Sequence, residues 1–298
     1  MSVQTARTDN SGLVWLMSDM VLVTIMTVLV KIGGATYPAL QIVFIRSLIG
    51  LISVLPLAWR HRAAIASTKQ VGRHVFRVFC NTLALSTNFA ALTALPLAMA
   101  NAIGFMRPLV VMVLATLLLG ERSTGWRWIG ASVGFLGVLI MVAPGDIAFN
   151  PGILAALGSV VFGSLAVIQT RALATENTTV LMVFYTVGLT VFTAAPAAFL
   201  WEPVHLGDWP LLIAIGVLAQ IGQYCFLRAY QSTPANILAP LGYLSIVLAT
   251  LAGLMAFNEV PGWTTIAGIV IIIGALAATS HLDRRSIRRR EIGRDRDL

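Results

Sequence analysis

The sequence predicts an all-α membrane protein of ten transmembrane helices in two inverted five-helix repeats, with both termini cytoplasmic. Three observations carry that expectation. Of 298 residues, 58% are apolar and 11% charged, with a mean hydropathy of +0.87, whereas soluble domains carry about 25% charge. Runs without charge over 129–145, 151–170, 177–200 and 209–227 are long enough to cross a hydrocarbon core of about 30 Å as helix. The cations are also one-sided, since 17 of the 20 Lys and Arg residues fall on one side once the chain is folded into ten spans.

The spans are expected near 13–32, 38–59, 74–95, 96–119, 126–143, 152–171, 179–200, 210–230, 234–257 and 263–281, parted by charged or Pro/Gly-rich breaks. Gly33, Gly34 and Pro38 end the first span; Arg60, Arg62, Lys69 and Arg73 separate the second from the third; Pro96 precedes the fourth. Glu121 with Arg122, then Pro144 with Asp146, bound the fifth, and Arg171 with Glu176 closes the sixth. Glu202 and Asp208, Pro234, and Glu259 with Pro261 set off the rest. Segments 1–12 and 282–298 are read as cytoplasmic tails, 13–145 as the first repeat and 146–281 as the second. Asp146, Glu202, Asp208 and Glu259 face the other side with only Lys31 at a helix end, so the positive-inside rule puts both termini in the cytoplasm of an inner-membrane, multi-pass protein.

The net charge of +8 is mostly this topology signal, and no nucleic-acid partner is expected. Arg284, Arg285, Arg288, Arg289 and Arg290 form either a solvated tail or a contact with anionic lipid. The first apolar run is full length and has no small-residue cleavage site, so it reads as a span and not as a signal peptide. Cys80 and Cys225 lie within spans and are expected as buried thiols. The four histidines form no i, i+4 pair, and a lone mid-span carboxylate supplies no paired acid and base. The expectation is a protein that is not an enzyme and needs no metal or cofactor.

The chain matches itself weakly. At an offset of 138 Pro96 meets Pro234, Gly104 meets Gly242, Phe105 meets Tyr243, Glu121 meets Glu259 and Gly130 meets Gly268. An offset of 140 aligns Lys31 with Arg171, Val43-Phe44 with Val183-Phe184, and Pro56 with Pro196. Five spans per copy is an odd number, so the second copy enters the membrane inverted, an architecture strongly associated with secondary transporters.

Leu119-Gly120-Glu121-Arg122 followed by Gly130, Gly134 and Gly137, with its counterpart Phe257-Asn258-Glu259 followed by Gly268 and Gly274, resembles the paired EamA-type domains of the drug/metabolite transporter superfamily. The resemblance covers nearly the whole chain. It implies ten helices in two inverted repeats and transport of small metabolites, and the similar bacterial branch includes aromatic amino-acid exporters. The second copy has Asn258 where the first has Gly120, and Pro261 close behind Glu259, departures expected to weaken symmetric gating.

Three ionisable residues fall well inside spans, where a charge costs at least about 2.5 to 3.5 kcal/mol and marks a partner, a cavity or a pathway. At about 1.5 Å per residue Asp19 lies nearest the cytoplasmic edge, with Arg107 and then Arg46 deeper. Asp19 is expected to reach Arg107, either as counter-ion or proton carrier beside a substrate-binding arginine or as half of a structural ion pair. Pro108, behind Gly104, predicts a kink, matched in the second half by Pro240 and Gly242. Gln220, Gln223 and Tyr224 share one helical face, as do Arg77, Asn81 and Asn88. Asn101 is a further amide candidate, and the deep aromatics Phe105, Tyr224 and Tyr243 are candidates for stacking on substrate. The seven tryptophans fit an interfacial belt. The glycine faces of the fifth and tenth spans serve either internal packing or dimerisation, leaving monomer and homodimer both open.

These features predict a secondary transporter, and an exporter in particular, of amino acids, especially aromatic or hydrophobic ones, and related small metabolites by alternating access. Its partners are the small-molecule substrate and membrane lipid. S-adenosylmethionine or nucleotide-like compounds, quaternary amines and drugs are the competing substrates.

Overall fold

The computed structural model describes residues 11–34, 36–94, 103–121, 123–142, 151–258, 260 and 262–296, and every regular element among them is helical. In chain order these are α1 Ser11–Gly33, α2 Ala39–Arg60, α3 Arg62–Ser67, α4 Val71–Ala94, α5 Arg107–Leu119, α6 Gly125–Val142, α7 Pro151–Ala172 and α8 Thr178–Phe199. A 3-10 turn, Leu206–Asp208, leads to α9 Trp209–Ser232; then come α10 Ala235–Leu238, a 3-10 segment Ala239–Tyr243, α11 Leu244–Phe257 and α12 Trp263–Arg296.

Among the described residues six stretches are long and apolar enough to cross a bilayer: Ser11–Val30, Leu40–Arg60, Pro151–Ala172, Thr178–Phe199, Leu206–Ser232 and Ala235–Phe257. The chain is therefore a multi-pass membrane protein. Its outward faces carry Ile52, Leu117, Val191, Phe199, Met255 and Val270, each at least 64% exposed, the surface that lipid requires and water would penalise. Hydroxyl groups inside the helices are satisfied locally. Thr24, Thr82, Thr186 and Thr193, for example, each donate to the carbonyl four residues back.

Packing follows the repeat. An offset of 140 carries α1, α2 and α4 onto α7, α8 and α9, and an offset of 138 carries α5 and α6 onto α11 and α12. α1 lies along α9 and α4 along α7, two packings that the offset exchanges, while α2 pairs with α8 and α6 with α12. A Cβ on Gly12, near the start of α1, would meet Thr233 just past the end of α9, and Arg171 at the end of α7 bonds the Tyr230 carbonyl. The start of α1 and the end of α7 thus share one end of the molecule, so equivalent helices run in opposite directions. This end, with Arg60, Arg73 and Arg171, is called basic below; the end with Glu202 and Asp208 is called acidic.

Three expectations change. The kink at Gly104 is a full break. Residues 103–104 are helical, 105–106 form a turn, and α5 starts at Arg107 with Pro108 in its first turn, where the missing N–H is harmless. The span expected over 234–257 is likewise divided, because Pro240 holds Ala239–Tyr243 in a 3-10 segment between α10 and α11. The last helix does not stop near 281 but continues to Arg296, since the residues that follow are mostly good helix formers with no proline among them.

Asn258 does not weaken the correspondence of the two halves at their caps. Gly120 has φ 65 and Asn258 φ 54, so both end their helices in the left-handed conformation that Gly, and next best Asn, adopts at low cost. The glycine faces pack internally. A Cβ on Gly137 would stand 3.0 Å from the Gly268 carbonyl oxygen, and one on Gly134 would stand 2.9 Å from the Tyr243 ring, so absence of a side chain sets the α6 contacts. Gly274 has open space before it. Cys80 and Cys225 are buried, unpaired thiols.

Candidate substrate cavity

The two helix breaks meet at the centre. A Cβ on Gly242 would lie 3.5 Å from Pro108 Cγ, and among the described residues no atom outside its own turn comes within 4 Å of that position on Gly104. Gly104 instead borders a cavity of two joined lobes, about 500 and about 540 Å³. Asp19, Val23, Gly104, Phe105, Arg107, Val167 and Phe226 line both lobes.

The larger lobe is polar. α2 supplies Arg46, α4 supplies Arg77, Asn81 and Asn88, α7 supplies Ser159 and Thr170, α8 supplies Tyr185 and α9 supplies Gln223. Arg46 donates to Tyr185 Oη at 3.2 Å and makes a long contact of 3.8 Å to Met26 Sδ. Arg77 is buried, donates to the Leu181 carbonyl at 2.6 Å and to Thr170 Oγ1 at 3.4 Å, and stands 5.9 Å from the Tyr185 ring centroid. Arg107 reaches Ser159 Oγ only at 3.5 Å. Its guanidinium fits because Gly163 has no side chain; a Cβ there would fall 2.9 Å from Arg107 Cζ.

The smaller lobe is apolar. Leu16, Met20, Val28, Val111, Ala249, Ala252 and Phe257 line it, with Tyr230 and Ser245 among its few polar groups. It lies between α1 and α11, opened by the small residues of α11.

Asp19 and Arg107 share the cavity, yet they make no ion pair within 4 Å among the described residues; Tyr230 lies within electrostatic reach of both. Gln220, Tyr224 and Tyr243 lie outside the cavity lining, unlike Gln223. A Cβ on Gly50 would meet Gln220 Oε1 at 2.7 Å, so that amide packs on α2. Tyr224 is 36% exposed and stands edge-on to Trp15. Tyr243 is fully buried against Gly134. Three residues on one helical face thus divide between cavity, neighbouring helix and periphery, because α1 and α2 both border α9. Pro240 supports the break without lining either lobe. Asn101 lies outside the described residues.

Arg77 is the principal residue that sequence reasoning assigned elsewhere. Its place near the start of the third expected span makes it one of the 17 one-sided cations, while its spacing sets it on the face of Asn81 and Asn88. Tyr185, Ser159 and Thr170 had no signal of their own, because single hydroxyl groups are ordinary in membrane helices.

Hydrogen bonds close both ends of the helix bundle. At the acidic end Tyr37 Oη donates to Asp208 Oδ2 at 2.6 Å and accepts from the His205 N–H at 3.1 Å. The hydrogen bond donated to Asp208 holds the Tyr37 hydroxyl above its ordinary pKa, since the phenolate would lose that bond and then face a carboxylate. Gln41 exchanges two bonds with the Glu202 backbone, at 2.7 and 2.9 Å. At the basic end Thr68 and Gln70 donate to Glu176 Oε1, each at 3.2 Å.

A pseudopaline exporter of Pseudomonas aeruginosa is 34% identical over 262 residues, which cover 86% of this chain and 91% of the relative. An S-adenosylmethionine uptake transporter of Rickettsia prowazekii is 27% identical, covering 94% and 96%, and a riboflavin transporter of Vibrio cholerae is 26% identical, covering 85% and 86%. A solved crystal structure superposes with a TM-score of 0.80 at 21% identity, covering 93% of this chain and 98% of the other, a likeness of fold. Residues 10–143 and 150–280 each match the family model described as EamA-like transporter family, and the chain belongs to that family.

Proposed function

We propose that this chain is a secondary transporter that exports amino-acid-like metabolites from the cytoplasm across the inner membrane, by alternating access between its two inverted halves. The observation that carries the reading is a central cavity lined by both halves, with Arg46, Arg77, Arg107, Asn81 and Asn88 from the first and Ser159, Thr170, Tyr185 and Gln223 from the second, and an apolar lobe attached. Arg46, Arg77 or Arg107 holds a carboxylate, Asn81, Asn88 and Gln223 accept or donate to an amine or hydroxyl, and Phe105 borders the apolar part of the substrate. Asp19 is the counter-ion or proton carrier, and Gly104, Pro108, Pro240 and Gly242 form the flexible breaks. Both termini are cytoplasmic in this reading, and export follows the pseudopaline exporter among the relatives.

The test is flux of radiolabelled amino acids in proteoliposomes, with Arg46→Gln and Arg107→Gln beside the wild type. Unchanged flux and affinity in both variants would remove the carboxylate role. The second reading is a sulfonium or nucleotide-like substrate, favoured by the S-adenosylmethionine uptake relatives that match 94% or more of the chain. Binding of S-adenosylmethionine without binding of amino acids would establish it.

A further inference from the structure

We infer that the substrate is an amphipathic dianion, with two carboxylate-type charges in the arginine-lined lobe and an apolar arm in the lobe between α1 and α11. The inference rests on the transport reading above and specifies its substrate.

Charge is the first argument. Arg46, Arg77 and Arg107 line the polar lobe, and Asp19 is the single carboxylate among its described lining residues, which leaves an excess of two positive charges. The contacts of the three arginines are neutral: a phenol, a thioether, a carbonyl and two hydroxyls. Arg171, outside the cavity, shows the contrasting arrangement, with Glu121 at 3.0 Å. The Nε atoms of Arg77 and Arg107 are buried without an acceptor among the described residues. Guanidinium groups held within a membrane protein without anions are costly. A zwitterion with one carboxylate adds no net charge and leaves the excess in place, whereas a dianion cancels it and supplies acceptors for the unspent donors.

Shape is the second argument. The apolar lobe is nearly as large as the polar one, about 500 against about 540 Å³, and shares Phe105, Val23 and Arg107 with it as lining. A compact dicarboxylate would occupy the polar lobe alone. An apolar arm attached to it buries its surface against Leu16, Met20, Val111 and Phe257.

Thermal-shift and equilibrium-binding titrations of the purified full-length protein with benzylsuccinate, succinate and phenylalanine test this. Benzylsuccinate, with both charges and the arm, is expected to bind about tenfold or more tighter than either of the others. Arg46→Gln and Arg107→Gln should each reduce that preference over phenylalanine about tenfold. Asp19→Asn removes the opposing charge and should tighten benzylsuccinate, a gain that no folding defect can imitate. Phenylalanine binding as tightly as benzylsuccinate, or weaker benzylsuccinate binding in Asp19→Asn, overturns the dianion while leaving the amino-acid reading intact. Succinate binding as tightly as benzylsuccinate overturns the apolar arm. Should S-adenosylmethionine bind and none of the three carboxylates do so, this inference and the amino-acid reading both fall, and transport of a sulfonium substrate takes their place.

Discussion

Glu121 accepts from Arg171 Nε at 3.0 Å and, through its two carboxylate oxygens, from the backbone N–H groups of Ala235 and Asn236 at 3.2 and 3.0 Å. One side chain therefore joins the end of α5, the end of α7 and the start of α10, while Arg171 Nη1 bonds the carbonyls of Tyr230 and Gln231. The first turn of α10 leaves backbone donors unpaired, and a carboxylate is a strong acceptor for them. This pairing locks the basic end of the helix bundle.

Glu121→Ala should lower the stability of the detergent-solubilised protein by about 2 kcal/mol or more, because it removes an ion pair and a helix cap together. Glu121→Gln, which keeps an acceptor but no charge, should lose less. Melting temperatures of the two variants give the order, and equal losses would count against the charge.

Gly163→Ala should weaken substrate binding about tenfold, since the new methyl group would displace the Arg107 guanidinium. Gly158→Ala on the same helix is the control. Its Cβ would meet Thr87 at an ordinary 3.7 Å, so binding should hold and stability rise by about 0.5 kcal/mol. Calorimetric titration distinguishes the two.

Gly120→Val should destabilise by about 1 to 2 kcal/mol, the cost of forcing a branched residue into the left-handed region. Asn258→Gly should be neutral or slightly stabilising, because φ 54 suits glycine equally well. A large loss in Asn258→Gly, measured by thermal melting, would mean that the Asn258 side chain has a separate role.

Tyr37→Phe removes the bonds to Asp208 and His205 and should increase labelling of a cysteine introduced at Asn88 from the acidic side. The same contact predicts a pH dependence. The hydroxyl titrates higher in the folded protein than in the unfolded chain, so its contribution is fully present below about pH 10 and is lost as pH rises through the raised value. Tyr37→Phe should flatten that alkaline loss, and a stability profile identical to wild type would rule the contact out as its cause.

Asp19→Asn should abolish the dependence of flux on a pH gradient while equilibrium binding survives, if the carboxyl carries the proton. Gradient-dependent flux that persists in the variant would leave Asp19 as a counter-ion only.

The membrane class, the approximate positions of the spans and the repeat follow from the sequence alone, because a bilayer imposes length and hydropathy on each helix and the repeat preserves the spacing of Pro56 and Pro196 and of Gly120 and Asn258. Asp19, Arg46 and Arg107 are legible for the same reason, since charges stand out in apolar helices. Packing alone decides the rest. It brings Arg77 into the cavity, turns Tyr224 outward and buries Tyr243 on Gly134, because which face of a helix meets a cavity depends on its neighbours and not on its own period. It also determines that three arginines converge where one carboxylate lies, a charge balance that exists only once α1, α2, α4 and α5 surround the same space.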